Sequence, residues 1–387
     1  MKVLQIRQRN VPAPADAAAQ WSDLAALEPQ LVLVFAAAEH MANPALAASL
    51  AAAFPDSLRI GCSTAGEIAG DDVDDHSLVL TAIRFAQAQV REARTDLAEM
   101  VDSRAAGARL AAQFQGPGLQ AVLVFGQGVA INGSALVEGL SSGLPPQAII
   151  TGGLAGDGGA FQRTWVLSSA GVSDRQLAAV GLYGDGLRVG HGSFGGWTAF
   201  GPARKVTRCE NNVLYELDGE PALEIYKRYL GDYAANLPAS ALLFPFSMVG
   251  KDRSSLGLIR TILGVDESNG SLILAGEIDP QGYLKLMHAN PNALVDGAQH
   301  AAEMARAMVS GEALGILVSC VGRKLVLGGR VDEELEAVAD VFGQGCTLTG
   351  FYSYGEISPL VPAPGSLPGE ACRLHNQTMT ITLLAER

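Results

Sequence analysis

Aromatic residues make up only 6% of this 387-residue chain and charged residues only 17%; lysine and arginine together number 27 against 40 aspartates and glutamates. The net charge of −13 argues against a nucleic-acid binder, because a phosphate backbone is held by clustered cations. The nearest approach to a cluster, Arg204, Lys205 and Arg208, is short and has no interleaved aromatics. Long hydrophobic runs are missing as well. The longest, around Leu31–Ala38, falls far short of the roughly 20 apolar residues a membrane helix needs. The N-terminal stretch MKVLQIRQRNVPAPADAAAQ has no apolar core before a small-residue cleavage site, so no signal peptide is expected. Five cysteines, Cys62, Cys209, Cys320, Cys346 and Cys372, are odd in number, scattered, and form no C-x-x-C pair. That excludes a disulfide framework or a paired-cysteine zinc site and fits a reducing cytoplasm.

What the chain does have is apolar material, at 48% of residues, and 45 glycines. The first excludes general disorder, and the second signals many tight turns. Three stretches repeat one pattern. LVLVF (Leu31–Phe35) reads as a buried strand, Leu46, Leu50 and Phe54 mark a helix opened by Pro44, and LRI leads into GCSTAGEI, Gly61–Ile68. AVLVF (Ala121–Phe125), a helix around Leu136, Val137 and Leu140, and AII lead into TGGLAGDGG, Thr151–Gly159. GILVSC (Gly315–Cys320) precedes a helix with Asp332 as its cap and Leu335, Val338, Ala339 and Phe342 on one face. The strand CTLT then enters GFYSYGEISP, Gly350–Pro359.

Two of these turns share G-x-x-x-x-G-E-I at the same spacing, which reads as internal duplication. Strand–helix–strand units make parallel strand pairs, and ligands gather beyond the carboxyl ends of such strands. The turns lie at those ends. They nominate Cys62, Ser63, Thr64, Gly66, Glu67, Gly153, Asp157, Tyr354, Gly355 and Glu356 as ligand-binding residues. Glutamates there suit an amine better than an anion; equally, glycine and glutamate after a strand can simply build a tight, capped turn. The fold class expected is α/β (mixed α+β), in two packed domains. Between the second and third repeats lie short strands and glycine turns, with an Asn211–Asn212 hairpin. A boundary near Gly219 therefore divides the chain into domains 25–218 and 219–387.

Enzyme signatures are weak. A nucleophile elbow would read G-x-S-x-G, but Gly61–Gly66 carries one residue too many. No G-x-G-x-x-G follows a first strand, and the phosphate loop G-x-x-x-x-G-K-[ST] does not occur. No two of the six histidines are three or four residues apart, so metal-ligand spacing is absent. A haem needs one axial ligand in an apolar pocket. By texture His191, among glycines with Phe194 and Trp197 nearby, and His288, after LKLM, are best placed.

GCSTAGEI resembles the signature turn of FIST N-terminal domains. FGPARKVTR, LYELDGEPALEIYKRYLG, SCVGR, GFYSYGEISP and LHNQTMTITLL resemble the FIST C-terminal pattern. The likeness runs from about Leu31 to the C-terminus. It implies a cytoplasmic sensory module that binds a small ligand, amino acids among the suggestions, and reports to an output protein such as a histidine kinase. GSFGGWTAFGPARKVTR and DGEPALEIYKRYLGD are also similar to the NosP-type subgroup of haem-containing nitric oxide sensors. That similarity implies haem b as cofactor, with His191 or His288 as the candidate iron ligand, and nitric oxide as the signal. The alternatives are a haem-free module for amino acids or a related metabolite, and a hydrolase working through Cys62 or Ser63. No catalytic residues and no metal beyond haem iron are expected.

Overall fold

The computed structural model describes residues 1–360 and 372–386. The first unit runs β1 (Lys2–Gln8), α1 (Pro14–Gln20), α2 (Ser22–Ala26), β2 (Leu31–Ala36), α3 (Ala38–Met41), α4 (Ala45–Ala53) and β3 (Leu58–Ser63). A hairpin of β4 (Glu67–Ala69) and β5 (Asp72–Asp74) and the strand β6 (Leu78–Arg84) complete it. The second unit repeats the plan with β7 (Gln89–Asp96), α5 (Ser103–Ala111), β8 (Leu119–Gly126), α6 (Gly133–Gly143) and β9 (Ile149–Leu154). Its hairpin is β10 (Val166–Ser168) with β11 (Gly171–Ser173), and its last strand is β12 (Gln176–Tyr183).

The third unit opens with β13 (Leu187–Phe194) and is then interrupted. The inserted body holds β14 (Thr198–Ala199), β15 (Arg204–Glu210), β16 (Val213–Leu217), β17 (Glu220–Pro221), α7 (Ala222–Leu230), β18 (Phe246–Val249), β19 (Ser255–Arg260), β20 (Ile262–Asp266), β21 (Ser271–Leu274) and β22 (Tyr283–His288). These strands form a nine-stranded sheet of their own. The unit resumes with α8 (Pro291–Met308), β23 (Ala313–Cys320), α9 (Val321–Leu327), α10 (Val331–Phe342) and β24 (Cys346–Ser353). It ends with β25 (Gly355–Pro359), β26 (Cys372–His375) and β27 (Met379–Glu386).

Three six-stranded sheets follow, in the orders β1-β6-β2-β3-β10-β11, β7-β12-β8-β9-β25-β26 and β13-β27-β23-β24-β4-β5. Each has one parallel pair at its centre, as the repeats predict. Each is closed by a hairpin from a different unit. The first unit's hairpin finishes the third sheet, the second unit's finishes the first, and the third unit's finishes the second. The α/β class expected from the sequence is what the chain adopts. The expected division at residues 218 and 219 falls inside the insertion, between β16 and β17. The opening of the third unit is masked in the sequence because β13 carries Gly190 and Gly192. Added Cβ atoms there would lie 2.5 Å from Ala305 O and 2.0 Å from Ala301 O, so the strand is thinned to let α8 lie flat on it.

The central strands are apolar on both faces because both are buried. Leu31, Leu33 and Phe35 of β2 point into a core shared by all three units, with Leu123 and Phe125 of β8 and Ile316 and Val318 of β23. Val32 and Val34 point outward to α1 and α4, and Val122 and Val124 to α5 and α6. In the shared core Phe35, Phe125 and Phe351 meet, with ring centroids 4.8 Å apart for Phe35–Phe351, 5.6 Å for Phe35–Phe125 and 6.1 Å for Phe125–Phe351. Such contacts contribute about 0.5–1.5 kcal/mol each beyond area burial. By strand register Phe351 is the counterpart of Cys62 and Gly153. One large ring therefore fills space that the other two units leave open.

The insertion leaves and rejoins the body through one clamp. Arg323, fully buried, pairs with buried Glu334 at 2.8 Å; it donates Nη1 to Gly195 O and Nη2 to Leu294 O at 2.8 Å. Tyr352 and Ser319 donate to the other Glu334 oxygen at 2.5 and 3.1 Å. α10 starts at Val331 with Arg330 as its cap residue, so Asp332 lies in the first turn instead of capping. Among the described residues no helix is long and apolar enough to cross a membrane.

The leading glycine of each repeat has a steric cause. Added Cβ atoms at Gly61, Gly152 and Gly350 would lie 1.8, 2.0 and 1.9 Å from the carbonyl oxygens of Val34, Val124 and Leu317 on the paired parallel strand. Gly350→Ala is expected to cost about 1–3 kcal/mol in denaturant unfolding. Gly329→Ala, which meets nothing within 4 Å, should stay within about 0.5 kcal/mol of the parent. Equal losses in the two variants would refute this account.

Candidate functional site

The two Gly-Glu turns are built alike. Thr64 Oγ1 donates to Glu67 Oε1, and Ser77 donates its N–H and its hydroxyl to Oε2, both at 2.8 Å. In the third unit Ser353 Oγ donates to Glu356 Oε1 at 2.8 Å, while Thr378 donates its N–H at 3.2 Å and its hydroxyl at 2.9 Å to Oε2. The carboxylates are only 1% and 0% exposed. Each stitches its turn to the start of the unit's last strand. The sequence reading aimed them at a ligand amine; the structure turns them inward, with every oxygen already engaged in a hydrogen bond within the unit. Burial raises both acids, Glu67 above the ordinary carboxyl value and Glu356 to about 8.

Several other nominated residues also serve packing. Cys62 is buried in the shared core, and burial pushes its thiol well up. Ser63 Oγ accepts the Trp165 N–H at 2.8 Å. At Gly153 an added Cβ would meet Val318 Cγ1 at 2.7 Å, and at Gly355 it would meet Leu154 and Leu374 at 3.0 Å. Asp157 accepts the amides of Phe161, Gln162 and Arg163 at 2.7–2.8 Å and the Tyr354 hydroxyl. The Tyr354 ring stacks on Phe161 at 4.1 Å.

Thr64, Gly66, Glu67 and Asp157 do share a cavity, of about 420 Å³, beyond the carboxyl ends of β2 and β3. All three units line it: Glu39, Asp75 and His76 from the first, Asp157 and Gly158 from the second, Val321, Lys324 and Leu325 from the third. Lys324 Nζ donates to Ala65 O at 2.9 Å and pairs with Asp75. His76 Nδ1 lies 2.6 Å from Glu39 Oε1, a contact that raises the His76 pKa. Gly66, at φ +138°, keeps the backbone clear of Lys324, since an added Cβ would lie 2.7 Å from Nζ. The sequence reading missed Lys324, Asp75, His76 and Glu39. A signal for one was present: aligned on the last strands, His76-Ser77-Leu78 matches Gln377-Thr378-Met379, and His76 and Gln377 share a left-handed backbone at φ 64° and 62°.

The nominated histidines lie apart from this cavity. His191 stands on β13 opposite Thr382; its Nδ1 is buried with no hydrogen-bond partner among the described residues, and burial lowers its pKa. The register makes it the counterpart of Gln5, opposite Thr81 on β1. His288 ends β22 in the insertion, edge-on to Phe200 with centroids 5.4 Å apart. Neither lines any of the main cavities among the described residues.

Because the folded state holds Glu356 protonated up to about pH 8 and an unfolded glutamate ionises near 4.3, the folded chain binds the extra proton between those values. Stability from this group is full below the lower value and is lost as pH rises through the upper one. Glu356→Gln should remove a decline on the order of a few kcal/mol across that window. Parallel pH profiles of denaturant unfolding for parent and variant would contradict it.

Residues 30–220 match the FIST N domain and residues 222–359 the FIST C domain. No curated protein matches the chain. Among solved structures, a cyanuric acid hydrolase from A. caulinodans aligns over 100% of this chain and 99% of its own, at 10% identity and a TM-score of 0.35; nothing about chemistry follows from so loose a likeness. The two domain models meet beside residue 221 and between them take in all three of the repeated turns: this chain belongs to the FIST family.

Proposed function

We propose that this chain is a sensory ligand-binding module whose ligand is a small zwitterion of the amino-acid type, held in the cavity shared by the three units. The supporting observation is the pair of mixed-charge contacts at its wall, Lys324–Asp75 and His76–Glu39. Three of these four side chains are more than half exposed, and such pairs contribute only about 0–1 kcal/mol. A ligand carboxylate can therefore take Lys324, and its amine Asp75 or Glu39, at little cost. Val321 and Leu325 supply an apolar wall for a side chain. Binding here bears on all three units at once, which suits a module that reports to a separate output protein such as a histidine kinase. A location in the cytoplasm belongs to the same reading. Hydrolysis is disfavoured because Cys62 is buried as a thiol and Ser63 is engaged by Trp165.

Calorimetric titration of the full chain with a panel of amino acids tests this. At least one should bind, and Lys324→Ala and Asp75→Asn should each weaken it about tenfold or more. Undiminished affinity in both variants, or no binding across the panel, would sink the proposal.

One observation favours a second reading, a haem b sensor of nitric oxide: the unpartnered, buried Nδ1 of His191, kept neutral by burial as an iron ligand must be. Bound haem would supply the iron that takes nitric oxide. His191 faces the seam between units and His288 the insertion, and as placed neither opens on a main cavity, so these residues fit the group poorly. Protein expressed with haem supply should show a stoichiometric Soret band lost in His191→Ala if this reading holds. A colourless protein that takes up no added haem removes it.

A further inference from the structure

A cavity of about 260 Å³ lies between the start of α6 and the inserted body, far from the turns considered above in its chemistry. Its floor is Arg260, only 4% exposed. Arg260 donates Nε to Glu277 O at 3.1 Å and Nη1 to Ile259 O and Leu374 O at 3.1 and 3.2 Å. These acceptors are all main-chain carbonyls. Nη2 makes no hydrogen bond, and the guanidinium no ion pair, among the described residues. Burial lowers its pKa only to about 10, so the charge persists at neutral pH. An arginine buried without a directly paired carboxylate is an expensive arrangement, and this one is turned toward open space.

A second feature points the same way. Ser134, the second residue of α6, also lines the cavity, and its Oγ is buried with no partner. α6 is an eleven-residue helix capped by Asn132, whose side chain accepts the Ala135 N–H at 3.0 Å. The cavity runs along the side of this helix, past Ser134, Val137 and Glu138. Arg373 stands at the exposed rim.

The charges present set the class of ligand. Glu138 lines the cavity but is paired with Arg104 at 3.2 Å. Glu277 accepts only from the neutral Asn132 amide, at 3.2 Å. Two arginines against one uncompensated carboxylate leave a single positive charge to be met.

We propose that this cleft is a second binding site, for the carboxylate of a small monoanionic organic acid, held by Arg260 Nη2 and Ser134 Oγ. The ligand bridges a helix of the second unit, the inserted sheet and the third unit's hairpin. It thereby fixes the insertion against the body. A dianionic phosphate is disfavoured by Glu277 and Glu138 beside it. The site stands independently of the first cavity.

The test uses the full chain carrying Lys324→Ala, so that the first cavity contributes nothing, titrated with acetate, propionate and pyruvate at constant ionic strength against chloride. A saturable response to a monocarboxylate is expected. Ser134→Ala and Arg373→Ala should each weaken it about threefold or more, and Arg260→Gln should abolish it. If Arg260→Gln does not fold, the Ser134→Ala/Arg373→Ala double variant decides. No saturable response, an unchanged response in that double variant, or tighter binding of inorganic phosphate at pH 8 would each overturn the proposal.

Discussion

A parallel strand pair leaves the outer edge of its second strand with unmet main-chain donors and acceptors, and in this protein no unit can meet them from its own chain. β3, β9 and β24 are each completed by a hairpin that another unit supplies. Buried main-chain groups must be paired, so the three sheets are obliged to form together. The glutamate-clamped turns follow from that obligation. Each must redirect the chain from one sheet into the next within a few residues, and a carboxyl group in three hydrogen bonds at once fixes such a reversal where an apolar residue could not. In the second unit the corresponding strand position is Val166, opposite Cys62. There a longer loop organised by Asp157 does the same task by collecting successive amides.

The units themselves were legible in the sequence because their central strands are buried on both faces and so read as unbroken apolar runs such as LVLVF. The glycines at positions 61, 152 and 350 were equally visible, but their meaning was not. A glycine that faces a neighbouring carbonyl and one that faces a ligand look alike in one dimension. The same holds for Glu67 and Glu356, whose partners Ser77 and Thr378 lie 10 and 22 residues away. The exchange of hairpins left no local trace, since β4 pairs with β24 across some 280 positions. Lys324 reaches the first unit's turn over a comparable separation. Composition could say that acid-rich turns prefer cations; it could not say that a lysine from the far end of the chain would be brought to balance them.

The insertion was hidden for a different reason. Its strands are short and twisted through glycine turns, and the strand that precedes it is itself thinned by Gly190 and Gly192. The family's two sequence domains meet within it, so they describe stretches of inheritance, while the sheets describe what folds as a unit.

The clamp made by Arg323 has a bearing on how such a chain can vary. One guanidinium holds Gly195 and Leu294, where the chain departs and returns, and at Gly196 an added Cβ would lie only 2.1 Å from Ala293 O. The two crossings touch. With the ends of the excursion fixed at contact distance, the entropy of closing it grows only slowly with its length. Among the described residues, none of the body's three sheets takes a strand from what is carried at that point. It is a socket: the strands below keep their register among themselves, and the excursion is seated on them by contacts such as Arg260 to Leu374 O.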